Sequence, residues 1–228
     1  MLAKTNYSIT DELLCQVQNS IPSVDFKLTI NEPTNNFFYD PWVIKKEYMG
    51  TVWEELLNTL PEHVSFGEAR LIKLEPTQCY TCHADIDDRY HLNILGSLSY
   101  LIDLTSQTMY PLVSDCHWYE LDAGLLHSAA NFGDQNRYQL VVRKLLKHCT
   151  LHNKINITIK PNTITYNNRY LMDQHISPWL NIANKHGVMD NFVGSIDEYK
   201  GMNFDMNSDY LDTLEKVVPK QFDIIKHD

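Results

Sequence analysis

Residues 89–104 read RYHLNILGSLSYLIDL, and this stretch decides the fold. In its first half Arg89, His91 and Asn93 alternate with Tyr90, Leu92 and Ile94, a period of two that puts polar side chains on one face and apolar ones on the other. That is the pattern of a strand, and a second strand-like run follows at 99–104. Working outward, the same texture recurs at 69–74, 78–83, 109–112, 118–121, 125–128 and 138–145, always with a polar turn between runs. Short strands repeated across 65–147, with no helical periodicity among them, predict a closed or double-sheet all-β body of jelly-roll or cupin type.

The flanks differ. Ile44, Tyr48, Val52, Leu56 and Leu60 recur every four residues, Trp53 and Leu57 widen the stripe and Pro61 ends it, so an amphipathic helix packed on a sheet is expected over 42–60. Residues 1–35, with Pro22 and Pro33, read as an entry arm whose helical candidate is 10–19. Beyond Cys149, Ile155 to Ile159 and Thr163 to Tyr166 flank Pro161 and Asn162 as an expected hairpin, helices are expected near 170–185 and 209–218, and the acidic stretch 190–215 reads as solvated surface. The expected organisation is a main domain over 1–150, carrying arm, helix and β body, and a small α+β region over 151–228.

Composition narrows the function. With 228 residues, 43% hydrophobic and 21% charged, the chain can bury a sizeable core, and no long apolar run offers a membrane span. A net charge of −10 argues against a surface that tracks phosphates, so neither nucleic acid nor membrane is an expected partner. Five unevenly spaced cysteines fit reduced thiols, and the first 30 residues lack the apolar core and cleavage site of a secretory signal, which places the protein in the cytoplasm as an expectation. Without that signal, the acceptor patterns at Asn6 and Asn156 carry no glycosylation reading.

The chemistry sits in the strands. Residues two apart on a strand point to one side, so His83 and Asp85 of the His83-Ala84-Asp85 run can bind one ion, with His127 as a third ligand. Two imidazoles and one carboxylate are the ligand set of non-haem Fe(II), with the remaining positions open to a cosubstrate and O₂. Arg137, ten residues after His127, opens a strand of alternating character in which Arg137 and Gln139 share a face. A charged arginine entering a Leu/Val-rich strand requires an anionic partner, and a guanidinium can grip the far end of a dicarboxylate. Metal and clamp together read as a 2-oxoglutarate-dependent oxygenase.

These segments carry a resemblance. His83-Ala84-Asp85 with Arg89-Tyr90-His91-Leu92-Asn93, and Trp118-Tyr119-Glu120-Leu121-Asp122-Ala123-Gly124 running on to His127 and Arg137, resemble the 2-oxoglutarate/Fe(II) oxygenases of the aspartyl/asparaginyl β-hydroxylase and proline cis-4-hydroxylase type over roughly 65–147. The resemblance implies a double-stranded β-helix, iron on His83, Asp85 and His127, the 2-oxoglutarate tail on Arg137, and a contribution of Arg89 and His91 to the cosubstrate site. It also implies hydroxylation of an unactivated C–H bond in an amino acid, free or within a peptide or protein, with formation of succinate and CO₂. Two departures stand out: Asp85 supplies a carboxylate that aspartyl/asparaginyl β-hydroxylase lacks, which brings free-amino-acid hydroxylases closer, and Gln139 stands where an arginine-x-serine pairing is common.

Three rival readings compete with this one. Cys79, Cys82, His83, Cys116 and His117 offer a superficial zinc set, but Cys82 and His83 would point to opposite faces of a strand and no glycine knuckle surrounds them. Asp85, Asp87 and Asp88 lack the spacing and central glycine of a calcium loop. A non-catalytic, cupin-like metal-binding sensor would keep the ligands, yet it has no need of a clamp at Arg137.

Overall fold

Arg89–Leu95, the strand announced by its alternation, is buried along nearly its whole length because it lies inside a sheet with partners on both edges. The structure is a computed structural model that describes residues 1–61, 66–194 and 201–227. By internal contact the chain divides into two compact units, the first built from Met1–Cys82, Asp87–Asp122 and His127–Leu145, the second from His83–Ile86, Ala123–Leu126 and the chain from Leu146 on.

In chain order the first unit contains β1 (Leu2–Ser8), α1 (Asp11–Asn19), β2 (Lys27–Thr29), β3 (Asn31–Pro33), β4 (Trp42–Ile44), α2 (Val52–Leu57), β5 (Phe66–Leu74), β6 (Arg89–Leu95), β7 (Ser99–Asp103), β8 (Thr108–Pro111), β9 (His117–Leu121), β10 (His127–Asn131) and β11 (Arg137–Lys144). One antiparallel sheet runs β1-β9-β6-β11-β5-β2 and a second runs β10-β7-β8, extended by an isolated bridge between Cys79 and Ala130. Counting β5, the run at Cys79, and β6 to β11 as eight successive strands, the first sheet takes the first, eighth, third and sixth, and the second sheet the second, seventh, fourth and fifth. That interleaving is a double-stranded β-helix, the jelly-roll of cupin type that the strand pattern predicts.

The two faces of the large sheet have opposite chemistry. Tyr90, Leu92, Ile94, Leu140, Val142, Leu71 and Trp118 pack with Leu13, Leu14 and Val17 of α1 and Trp53, Leu56 and Leu57 of α2, and each such buried side chain stabilises the fold by roughly 1.5 to 3 kcal/mol. Thr10 Oγ1 accepts from Leu13 N (3.1 Å) and Thr51 Oγ1 from Trp53 N (3.3 Å), capping both helices. Opposite faces alternate along a strand, so Arg89, His91, Asn93, Arg137, Gln139 and Arg143 point the other way, and the amide of Asn93 reaches Leu112 O (2.8 Å) beyond the end of β8.

The second unit is α+β. A sheet of order β13-β14-β12-β15, with β12 (Lys154–Pro161), β13 (Met189–Gly194), β14 (Met202–Asn207) and β15 (Phe222–His227), accompanies α3 (Asn167–Leu171), a π-helical turn (Met172–Ile176), α4 (Ser177–Lys185) and α5 (Leu211–Val217). Ile157, Ile159, Leu180, Phe192, Phe204 and Met206 are buried in it.

Several expectations fail for identifiable reasons. The helix over 42–60 shrinks to α2, because Trp42–Ile44 pairs with β3 and Gly50 adopts a left-handed φ of 70° that no helix continues through. The hairpin over 155–166 is one strand, β12, whose partners β14 and β15 come from much later in the chain, while Asn168 bonds to Thr163 O (2.7 Å) and winds the next residues into a helix. The entry arm contributes β1 and β2, the two edges of the large sheet, beside the expected α1. The run at 78–83 forms no ladder beyond the Cys79 bridge, and β10 spans His127–Asn131 where the sequence predicts a strand over 125–128. Of the acidic stretch expected to be solvated, residues 195–200 lie outside the described ones, whereas Asp190 and Asp205 are buried and Asp205 accepts from Asn156 (2.9 Å) and Asn191 (2.7 Å).

Candidate active site

His83, Asp85 and His127 present ligand atoms that all lie within 4.8 Å of one another, and among the described residues no other set of three His, Cys, Asp or Glu side chains does so. His83 Nε2 stands 3.7 Å from Asp85 Oδ2. The carrier of these two residues is not a ladder strand, as the spacing had suggested, but a connection fixed from its side: Asp85 N donates to Ala123 O (2.8 Å) and Asn181 Nδ2 donates to Asp85 O (3.3 Å). Gly124 is required here, since a Cβ at that position would lie 2.6 Å from Asn181 Cγ. Asp85 is 9% exposed and His127, the first residue of β10, 4%.

The rival metal sets are not assembled. Cys79 is exposed, Cys116 donates to Asp11 Oδ1 (3.1 Å), and none of the five cysteines is in a disulfide. Asp87, the middle residue of the supposed calcium loop, accepts from Arg89 Nε (3.2 Å) and from Arg143 Nε (2.8 Å) and Nη2.

On the polar face of the large sheet, β6 and β11 lie side by side with Asn93 opposite Gln139, His91 opposite Val141 and Arg89 opposite Arg143. Arg137 is fully buried. Its Nη2 donates to Gln139 Oε1 (3.3 Å) and to the Tyr80 hydroxyl (3.4 Å), its guanidinium lies 5.6 Å from the centre of the Tyr80 ring, and its Nε and Nη1 have no partner. Burial pulls its pKa down and pushes that of Tyr80 up. Gln139 Nε2, Asn93 Oδ1 and both ring nitrogens of His91 are likewise buried without a hydrogen bond of good geometry, although Gln139 stands near enough to His91 to oppose the fall of its pKa. Desolvation above all, then the nearby charges of Arg89 and His127, holds His91 at about 3, so its imidazole is neutral at physiological pH. Each such orphaned group costs about 1 to 3 kcal/mol, and several on one face mark a place built for a polar ligand.

All seven residues singled out by sequence are thus located: His83, Asp85 and His127 come together, Arg137, Gln139 and His91 share the polar face, and Arg89 sits at its far end engaged with Asp87. Tyr80, Arg143 and Asp173 escaped notice. Arg143 continues the two-residue period of Arg137, Gln139 and Val141, a signal that could have found it; it packs over the rings of Phe37 (4.3 Å) and Phe38 (5.0 Å). Tyr80 and Asp173 carry no such signal.

No helix among the described residues is long and apolar enough to cross a membrane. No protein-family model and no curated protein matches this sequence. Among solved structures, the viral collagen prolyl hydroxylase of Paramecium bursaria Chlorella virus-1 in its 2OG complex aligns with a TM-score of 0.43 at 10% identity, over 64% of this chain and 96% of that one. AviO1 from Streptomyces viridochromogenes Tue57 gives 0.42 at 12% identity, over 63% and 89%. A cupin domain from Bordetella pertussis Tohama I gives 0.31 at 13%, over 34% and 79%. At these identities and scores, what each residue does in this chain rests on the chain's own geometry.

Proposed function

We propose that this protein is an Fe(II)- and 2-oxoglutarate-dependent dioxygenase that hydroxylates an unactivated C–H bond of an amino acid, free or as a side chain of a peptide or protein. The observation that carries the reading is Arg137, a buried guanidinium whose hydrogen-bond partners are both uncharged and whose Nε and Nη1 point at nothing. A charge kept out of water in that state is accounted for by an anion that arrives with function. A ligand with two carboxylates suits a chain that has a buried cation and, elsewhere, a set of metal donors.

In this reading His83, Asp85 and His127 hold the iron, a donor set that fits a divalent non-haem centre. When bound, the iron with O₂ and 2-oxoglutarate supplies the oxidation R–H + 2-oxoglutarate + O₂ → R–OH + succinate + CO₂. Arg137 grips the distal carboxylate, and Tyr80 and Gln139 fix the plane of its guanidinium. His91, neutral, can donate one hydrogen bond and accept another on the same face, with Asn93 beside it. Arg89 and Arg143 are fastened to Asp87 at the far end of that face.

The test is an anaerobic Fe(II) titration paired with succinate release under Fe(II), 2-oxoglutarate and O₂. His83→Ala and His127→Ala should each lower iron affinity and abolish succinate formation, and Asp85→Ala should do the same if the carboxylate is a ligand. Iron affinity equal to wild type in His127→Ala would sink the assignment.

A further inference from the structure

The run of helix from Asn167 to Lys185 presents a polar stripe. Asp173, Ser177 and Asn181 recur every four residues and so share one side of it. Asn181 marks where that side faces, because its amide holds the carbonyl of Asp85 and its side chain abuts Gly124. Asp173 is 2% exposed and close enough to His83 and Asp85 to interact with both electrostatically. Its Oδ2 is taken by Arg169 Nε (2.7 Å), but its Oδ1 is buried without a partner, and so is Ser177 Oγ one turn on, in a residue with no exposed surface. The carboxylate stands in the π-helical turn Met172–Ile176, a local widening found often at functional sites.

Two acceptor oxygens a turn apart, one of them anionic, suit a donor that carries positive charge and more than one N–H. A metal ion is a poorer fit, as Asp173 is not among the ligand atoms gathered at His83, Asp85 and His127. We propose that Asp173 Oδ1 and Ser177 Oγ bind the ammonium group of the substrate, which makes the substrate an amine-bearing molecule such as a free α-amino acid and not an internal residue of a protein. The inference rests on the oxygenase reading and adds to it the group by which substrate is chosen. Burial raises the Asp173 carboxyl to about 6, so it is ionised at neutral pH and offers the charge an ammonium needs.

The experiment measures 2-oxoglutarate consumption by the Fe(II)-loaded full chain with each of the twenty free L-amino acids and with their Nα-acetyl forms. At least one free amino acid should stimulate turnover while its Nα-acetyl form does not. Asp173→Asn should raise the half-saturating concentration of that amino acid roughly 10- to 100-fold, the usual consequence of losing a charge-assisted bond, and Ser177→Ala roughly 2- to 10-fold. In Asp173→Asn the discrimination between free and acetylated forms should also collapse, which a purely structural carboxylate would not cause; a melting curve reports whether the variant folds. Wild type stimulated equally by an Nα-acetyl amino acid overturns the inference without any variant, and so does an unchanged requirement in Asp173→Asn. Wild type that binds no 2-oxoglutarate by calorimetry overturns the oxygenase reading and this inference with it, whereas intact cosubstrate binding with no free amino acid stimulating turnover overturns the inference alone.

Discussion

Replacing Arg137 by methionine keeps most of its length and removes its charge. In the proposed complex the distal carboxylate of 2-oxoglutarate takes two N–H bonds from the Arg137 fork, on a side left open by Nε or Nη1. Each charge-assisted bond contributes about 1.5 to 3 kcal/mol, and because the Tyr80 hydroxyl remains as a donor the lower end applies: about 3 kcal/mol for the pair, or about 150-fold in Kd. Calorimetric titration of 2-oxoglutarate into Fe(II)-loaded protein without O₂ measures this directly. Without ligand the sign reverses, since Arg137→Met removes a buried charge that no acid compensates, so the free variant should melt at or above the wild-type temperature. Wild type should gain about 2.7 kcal/mol of stability at a hundredfold excess of 2-oxoglutarate over Kd, and the variant at the same concentration should gain little. Affinity within threefold of wild type would refute the reasoning and move the anchor away from Arg137.

Gly124→Ala places a methyl 2.6 Å from Asn181 Cγ and 2.8 Å from its Cβ, so Asn181 must swing away and release the Asp85 carbonyl; a loss of about 1 to 3 kcal/mol in stability together with weaker Fe(II) binding is expected, and a variant matching wild type in both melting and iron titration contradicts it. For His91 the folded pKa of about 3 lies below the ordinary 6.5, so the unfolded chain takes up a proton that the folded one does not, and stability is present above pH 6.5 and lost as pH falls from there towards 3. Urea midpoints of metal-free protein at pH 7, 6 and 5 should therefore fall more steeply in wild type than in His91→Gln, by up to about 1.4 kcal/mol per pH unit, and parallel profiles would show that the imidazole does not stay neutral in the fold.

The alternation of Arg89 to Ile94 and of Arg137 to Val142 made the β body legible, because a sheet with an apolar outer face and a polar inner one writes a period of two into its strands. The same logic misled over 42–60, where a strand, a 3₁₀ turn at Lys46–Tyr48 and the short α2 happened to space apolar residues by four. β1 was invisible because Ala3, Lys4 and Asn6 are exposed on an edge strand, and the alleged hairpin failed because pairing partners 43 to 71 residues away leave no local mark. In the site, spacing revealed His83, Asp85, His127 and Arg137, whereas Tyr80 beside Arg137 and Asp173 near His83 are brought in by tertiary structure alone.

The position of β11 in the large sheet bears on how the chain acquires its shape. The last strand of the β-helix to be made lies between β6 and β5, so without it the sheet falls into two separate pieces, β1-β9-β6 and β5-β2. A nascent chain cannot join them until Arg137–Lys144 has left the ribosome, and joining must overcome the loop entropy of everything synthesised in between. Arg137 opens that joining strand. A dicarboxylate seated on it would bind only chains whose halves have already met, and would slow their parting, so the cosubstrate would act as a clasp on the assembled sheet as well as a reagent.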